Sequence, residues 1–327
     1  MKELTLDKID FNILATLARD CRTSYSSMGS MIGLTSKSVK ARVNHMVQNG
    51  VIEKFIVRVN PEGFGYKTAR VLVRTNNGIT KDDFIQRIKK FGDLAYHVHH
   101  VGRTSVAALI IKESLDSKTL RSLIDSLKPA TVNRIAVSEL PVSTDLSETD
   151  LRIIKCLLLS GARMEISEIA NKIGISEKTT TRRLDRMKEG RLLEFSIQCD
   201  PASMIGYVQF AILINFERIY YHKVCERMYT EFQENILYRP SIIDPDDRLI
   251  FVLFGENVFK VDSVLVRVDS FEGVKSADVY ILTKWQYHYD WILKEIDKRL
   301  SQQQPLSRKS IKVAGPLKGV NIQRPKV

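Results

Sequence analysis

Two short runs carry residues whose types and spacing suit chemistry on a nucleic acid. The first is Ser36 to Asn44, SKSVKARVN, and the second is Glu177 to Asp185, EKTTTRRLD. In the first, Val39, Val43 and Met46 recur at i, i+4 and i+7, which makes one apolar helix stripe. The opposite face carries Ser36, Lys37, Lys40, Ala41 and Asn44, which are short or cationic. Such a face suits a DNA major groove, where amides read base edges and cations meet phosphate. Lys37, Lys40 and Asn44 are expected to enter the groove, with Ser36 and Ser38 near phosphate or base edges. Arg42 and two cations of the following extended run, Lys54 and Arg58, are expected on the DNA backbone. In the second run Lys178, Thr179, Thr181 and Arg182 take the groove role, and Arg183 and Arg186 the backbone role. The plain alternative for either run is a solvated helix face. Glu177 and Asp185 also add repulsion to phosphate in the second.

Other chemistry is sparse. His97 and His99 share one face of an alternating segment, but no further cysteine or histidine group stands at ligand spacing. They read as surface histidines, and no metal is expected. No Ser/His/Asp arrangement, phosphate-cradling glycine loop or carboxylate pair stands out, so no catalytic residue and no cofactor is expected. Gly63-x-Gly65 is too short to cradle a nucleotide. The four cysteines, Cys21, Cys156, Cys199 and Cys225, stand far apart and form no CxxC pair. The net charge of +12 over 327 residues favours an anionic partner, and double-stranded DNA is the expected one. No apolar run approaches the ~20 residues of a membrane span, and no N-terminal signal pattern is visible. The expectation is a cytoplasmic chain without a membrane partner.

These residues need elements to position them. Residues 6–20 read as a helix with Ile9, Ile13, Leu14 and Leu17 inward, and residues 24–32 as a second helix capped by Ser24. Gly33-Leu34 turns the chain, Thr35 caps the third helix, and Gly50 closes it. Phe55 to Val59 alternates as a wing strand would, which completes a winged helix-turn-helix order. Residues 68–142 then follow the order β-α-β-β-α-β of a ferredoxin-like sandwich. The series recurs. Asp10 returns as Asp150, Gly50 as Gly190 and Pro61 as Pro201, all 140 residues on, whereas Gly33 returns as Gly174, 141 on. The second copy should therefore gain a residue near Ser160-Gly161 and lose one near Lys188-Glu189. A helix with Trp285, Tyr289, Ile292 and Ile296 on one face should follow the second sandwich. The fold class is α+β, with two winged helix-turn-helix domains alternating with two ferredoxin-like βαββαβ domains. Their bounds are 1–65, 66–142, 143–205 and 206–284, followed by a helix at 285–300 and a basic, disordered tail at 301–327.

Both halves resemble the Lrp/AsnC regulators of bacteria and archaea. The first head carries the resemblance in LDKIDFNILATLARDCRTSYSSMGSMIGLTSKSVKARVNHMVQNGVIEKF and NPEGFGY, and the second in IGISEKTTTRRLDRMKEGRLLEF and DPASMIGY. The resemblance implies DNA-binding heads tied to ferredoxin-like domains that self-associate and often bind a small-molecule effector. It implies a sequence-specific DNA-binding transcription regulator, here with two such protomers fused. The family's effector sandwich has Gly-x-x-Asp between its second and third strands. This chain has Gly102-Arg103-Thr104-Ser105 there, and Asp244-Pro245-Asp246-Asp247 in the second copy. Gly102, Arg103 and Thr104 are thus the positions an effector would take; a sandwich kept for assembly is the alternative. A second resemblance is to the sirohaem decarboxylases, in Tyr96-His97-Val98-His99-His100 and Tyr238-Arg239-Pro240. It would make the chain a fused enzyme on the same fold.

Overall fold

The computed structural model describes residues 5–112, 115–138, 145–238, 241–244 and 247–303. The basic tail from Ser301 lies, beyond Gln303, outside the described residues, as does the Arg239-Pro240 part of the second strand motif.

Side-chain caps set the helix starts of the first head. Helix α1 (Lys8–Arg19) begins at a capping box of Asp7 and Asp10, α2 (Tyr25–Ile32) at Ser24, and α3 (Ser36–Gln48) at Thr35. Gly33 sits in the left-handed region, φ +72°, which lets α2 end and α3 start two residues beyond Leu34, after its cap Thr35. Strand β1 (Ile52–Val59) follows. The first sandwich comprises β2 (Lys67–Arg74), α4 (Lys81–Ile88), β3 (Leu94–His100), β4 (Thr104–Ile111), α5 (Ser117–Leu127) and β5 (Thr131–Ser138). The second half repeats the order with α6 (Glu148–Ser160), α7 (Ile166–Ile173), α8 (Glu177–Glu189) and β6 (Leu193–Cys199). Its sandwich is β7 (Val208–Phe216), α9 (Tyr221–Phe232), β8 (Ser241–Asp244), β9 (Arg248–Gly255), α10 (Val258–Asp269) and β10 (Val274–Tyr287), and α11 (Asp290–Gln303) ends it.

Each sandwich has the antiparallel ferredoxin-like strand order. The two join edge to edge through β3 and β10 into one eight-stranded sheet, β5-β2-β4-β3-β10-β7-β9-β8. The sandwiches thus pair within one chain. Alternation along the strands separates two faces. Ala69, Val71 and Val73 of β2 bury against Phe84 and Leu123 of the helices, whereas Thr68, Arg70 and Leu72 point the other way. In β7, Phe210, Ile212 and Ile214 pack on Val224 and Val264, leaving Ala211 and Leu213 opposite. The helix-free faces of both halves line a single cavity of about 740 Å³.

The heads share one core. Val39, Val43 and Met46 of α3, Leu184 and Met187 of α8, and Ile292 and Ile296 of α11 belong to the same buried cluster. Each head supplies one strand, and β1 pairs antiparallel with β6 rather than forming a wing within its own head. Alternation in Phe55–Val59 identified a strand but could not say that its partner lay in the other copy. This ribbon also corrects the position of the lost residue. Helices α3 and α8 are equal in length and 141 residues apart throughout, so nothing is lost at Lys188-Glu189. The extra residue is in β1, where the register shifts between Ile52 and Lys54, a bulge at Glu53. A second correction concerns Trp285. It lies on β10, whose strand runs 14 residues to Tyr287, and the final helix starts only at Asp290.

Candidate nucleic-acid interface

Burial of the α3 stripe turns its other side to solvent. Ser36, Lys37, Lys40, Ala41 and Asn44 are all exposed, and neither lysine makes an ion pair among the described residues. The α8 counterpart exposes Glu177, Lys178, Thr181, Arg182 and Asp185, with Thr180, Leu184 and Met187 buried. Three expected hydroxyl contacts are already engaged locally. Ser38 Oγ lies 2.9 Å from the Thr35 cap hydroxyl, and the Ser176 hydroxyl donates to Thr179 Oγ1 at 2.9 Å. Thr181 donates back to the Glu177 carbonyl at 3.0 Å.

The expected backbone-contacting arginines have structural partners instead. Arg42 Nη1 donates at 2.8 Å both to Asp7 and to Asp10, which fastens the recognition helix to the start of α1. Arg183 and Arg186 donate to the two oxygens of Asp150 at 3.0 and 2.7 Å, which does the same in the second head. Burial works against the charge on Asp150, but Ser147 and Arg183 outweigh it and hold the carboxyl below its usual range. Arg58 pairs with Glu194, its cross-ribbon neighbour, and faces the cavity beside Tyr238 and Tyr287. Lys54 is half-buried in the same ribbon, opposite Gln198. The expected positions that are both exposed and without a local partner among the described residues are thus fewer than the sequence suggested: Ser36, Lys37, Lys40 and Asn44 in one head, and Lys178 and Arg182 in the other.

Two residues that sequence reasoning missed lock the heads together. Arg22 Nη1 donates to the carbonyls of Ala162 and Met164 at 2.8 Å, and Arg163 reciprocates to the carbonyl of Cys21. Arg163 also lies over the rings of Tyr25 and Phe55, at 4.5 and 5.4 Å. The signal was present in the repeat, since these arginines stand 141 residues apart in DCRTS and GARME.

The other expected positions lie elsewhere. Gly102, Arg103 and Thr104 form the β3–β4 turn, with Gly102 at φ +76° and the Arg103 carbonyl accepting from Thr75 N–H at 2.8 Å. They do not line the cavity. The three histidines are not on the surface, because β3 lies at the centre of the eight-stranded sheet. His97 Nδ1 is 2.9 Å from His288 Nε2, and His99 Nδ1 is 2.9 Å from Ser105 Oγ. His100 faces the cavity and lies 5.1 Å from the Tyr280 ring. No group of three His, Cys, Asp or Glu among the described residues is arranged to hold a metal ion.

The geometry defines a class: paired helix-turn-helix heads on one core, carried by fused ferredoxin-like sandwiches. Comparison with known proteins agrees. Residues 6–53 match a winged helix-turn-helix DNA-binding family, and residues 146–188 match the AsnC-type helix-turn-helix domain. A helix-turn-helix-type transcriptional regulator of Pyrococcus horikoshii is 32% identical over 93 residues, 28% of this chain and 59% of that protein. The regulator LrpA of the same organism is 30% identical over 66 residues, 20% of this chain and 47% of LrpA. The chain spans about half the length of such relatives. The crystal structure of the siroheme decarboxylase NirDL superposes with a TM-score of 0.50 at 13% identity, covering 90% of this chain and all of that one, which is a likeness of fold. The chain thus carries two helix-turn-helix units that match DNA-binding families, the second of them AsnC-type.

Proposed function

We propose that the protein is a sequence-specific DNA-binding transcription regulator, and not an enzyme, that reads DNA with α3 and α8 together. The observation that carries this reading is the exposed, unpaired cationic face of both recognition helices on a shared core. Lys37, Lys40 and Asn44 enter a major groove, Lys178 and Arg182 do so from the second head, and Ser36 lies near phosphate. Helix N-termini capped by Thr35 and Ser176 leave amide groups for phosphate at the entry of each helix. A cytoplasmic location and self-association beyond the single chain belong to the same proposal. Binding of this kind releases counterions, so affinity falls steeply with salt, by orders of magnitude for several phosphate contacts. A gel-shift titration across dilute to physiological salt tests it, and a flat response sinks the DNA reading.

A second reading has one observation in its favour. Tyr96, His100 and Tyr238, three residues of the motifs that resemble sirohaem decarboxylases, line the central cavity, whereas His97 and His99 do not. An absorption spectrum of the purified protein separates the two. Bound tetrapyrrole without DNA affinity favours the enzyme, and the reverse favours the regulator.

A further inference from the structure

The central cavity has a lining that DNA binding does not explain. Among the described residues its charged groups are Arg19, Arg58, Arg70, Arg134, Arg191 and Arg248 against only Glu62 and Glu194. Glu194 is taken by Arg58, and Arg70 donates to the Tyr96 hydroxyl at 2.8 Å. Every cation is a guanidinium and none an ammonium, the donor whose planar fork matches carboxylate and phosphate oxygens two at a time. Between the arginines the walls are apolar, with Leu72, Val98 and Val106 from one sandwich and Leu213, Ile250 and Val252 from the other.

An independent observation concerns hydrogen bonds. Arg58 Nε, Arg248 Nη1 and Trp285 Nε1 are buried donors without a hydrogen-bond partner, and all three residues line this cavity. Folded proteins leave few buried donors unsatisfied, so a cluster of them around one cavity points to acceptors that arrive from outside. At about 740 Å³ the space falls within the roughly 300–1,000 Å³ of small-molecule sites.

We propose that this cavity binds an organic polyanion, an apolar body bearing two or more oxyanion groups, through Arg58, Arg248 and the Trp285 N–H. A bare inorganic anion would satisfy the arginines and leave the sheet walls empty; an uncharged hydrocarbon would do the converse. Arg58 and Glu194 face each other in the β1–β6 ribbon that joins the heads, so a ligand oxygen at Arg58 acts on the ribbon directly. Resting on the regulator reading, this makes the cavity an effector site distinct from the Gly102–Thr104 turn.

The test is calorimetric titration of the full-length protein, without DNA, using four probes: naphthalene tetracarboxylate, naphthalenediyl bisphosphate, citrate and inorganic phosphate. One naphthalene probe should bind one per chain, roughly tenfold or more tighter than citrate or inorganic phosphate, and the tighter of the two identifies the oxyanion. Arg58→Gln and Arg248→Gln should each weaken it by roughly tenfold, the scale of one charge-assisted hydrogen bond. Arg248 lies away from the heads, so its variant remains informative if Arg58→Gln fails to fold. Absence of saturable binding, equal affinity for all four probes, or binding unchanged in both variants overturns the proposal. Because no DNA is present, such a failure leaves the DNA reading standing, and a protein that binds the probe but no DNA leaves this one standing. A gel shift at saturating probe then tests the coupling, and an unmoved DNA affinity overturns that part.

Discussion

Asn44 and Lys40 stand on the same exposed face of α3 and should fail differently. An asparagine can pair bidentately with adenine, and such a pair discriminates by about 1–3 kcal/mol. Asn44→Ala is expected to lose affinity for the cognate site while random DNA is hardly affected, and Lys40→Ala to weaken both more evenly. Competition binding against random duplex checks this, and equal losses for Asn44→Ala would rule out a base contact. Which side chains stayed free was only partly legible in the sequence. Arg42, Arg58 and Arg183 looked like phosphate contacts because their carboxylate partners lie 32, 136 and 33 residues away, beyond any local pattern. The histidines were misread for a related reason, since exposure of β3 depended on whether β10 paired with it. That pairing has a pH consequence. Burial pushes His97 down to about 3 and His100 to about 4, with His99, His288 and nearby lysines adding to the shift. An unfolded chain protonates both near pH 6.5, so it binds more protons than the folded one below that pH. Their contribution is complete above about pH 6.5 and falls progressively as pH drops toward 4. Amide protection factors in β3 and β10, that is, exchange rates corrected for their intrinsic pH dependence, should fall across this window, and His97→Gln with His100→Gln should flatten the profile. A pH-independent protection factor in the unsubstituted protein would show the imidazoles to be open to water.

At the level of elements, the turn from each recognition helix into the ribbon is the sensitive point. Gly50 adopts φ +77°, and a Cβ there would stand 3.2 Å from Ser203 Oγ. The left-handed conformation costs about 1–2 kcal/mol for a residue with a Cβ. Gly50→Ala should therefore lower stability by about 1–2 kcal/mol, read as a shifted urea midpoint with an unchanged slope. An unchanged midpoint would mean that the turn relaxes freely. The equivalent position in the second copy is Arg191, which holds φ +56° without being glycine. The sequence aligned Gly50 with Gly190 instead, because a repeated glycine is a stronger mark than a conformation. Element order was otherwise legible. Apolar periods of three to four located the helices, alternation located the strands, and Ser24, Thr35 and Ser176 marked the caps that the structure shows. The end of β10 was not, since Trp285, Tyr289, Ile292 and Ile296 also fit one helical face, and a 14-residue strand is well beyond the usual five or six.

For the whole molecule, the proposed function implies two unlike readers on one frame. Lys40 corresponds to Thr181 and Asn44 to Asp185, and a carboxylate cannot make the two-bond contact that an amide makes with adenine. Selection from random DNA with the intact protein should enrich a composite site whose two halves differ in sequence. A symmetric enriched site would show that the divergence has no readout, and enrichment of a single half would reduce the second head to a structural partner. That two protomer-like halves exist was plain from the repeat; that they close on each other through β3–β10 and β1–β6 was not, because strand partners so far apart leave no local trace. The shared core has a further consequence. Residues of α3, α8 and α11 are buried in one cluster, and Arg22 and Arg163 tie the heads reciprocally, so neither recognition helix can swing on a linker. The distance between the two helices is then a fixed length, and on the proposed function the protein would act as a ruler on the double helix. Adding five base pairs between the half-sites would turn one half to the far side of the duplex, about half of the 10–10.5 base-pair turn, and should abolish simultaneous contact. Adding a full turn would restore the facing side but not the span, so a rigid ruler rejects that site as well.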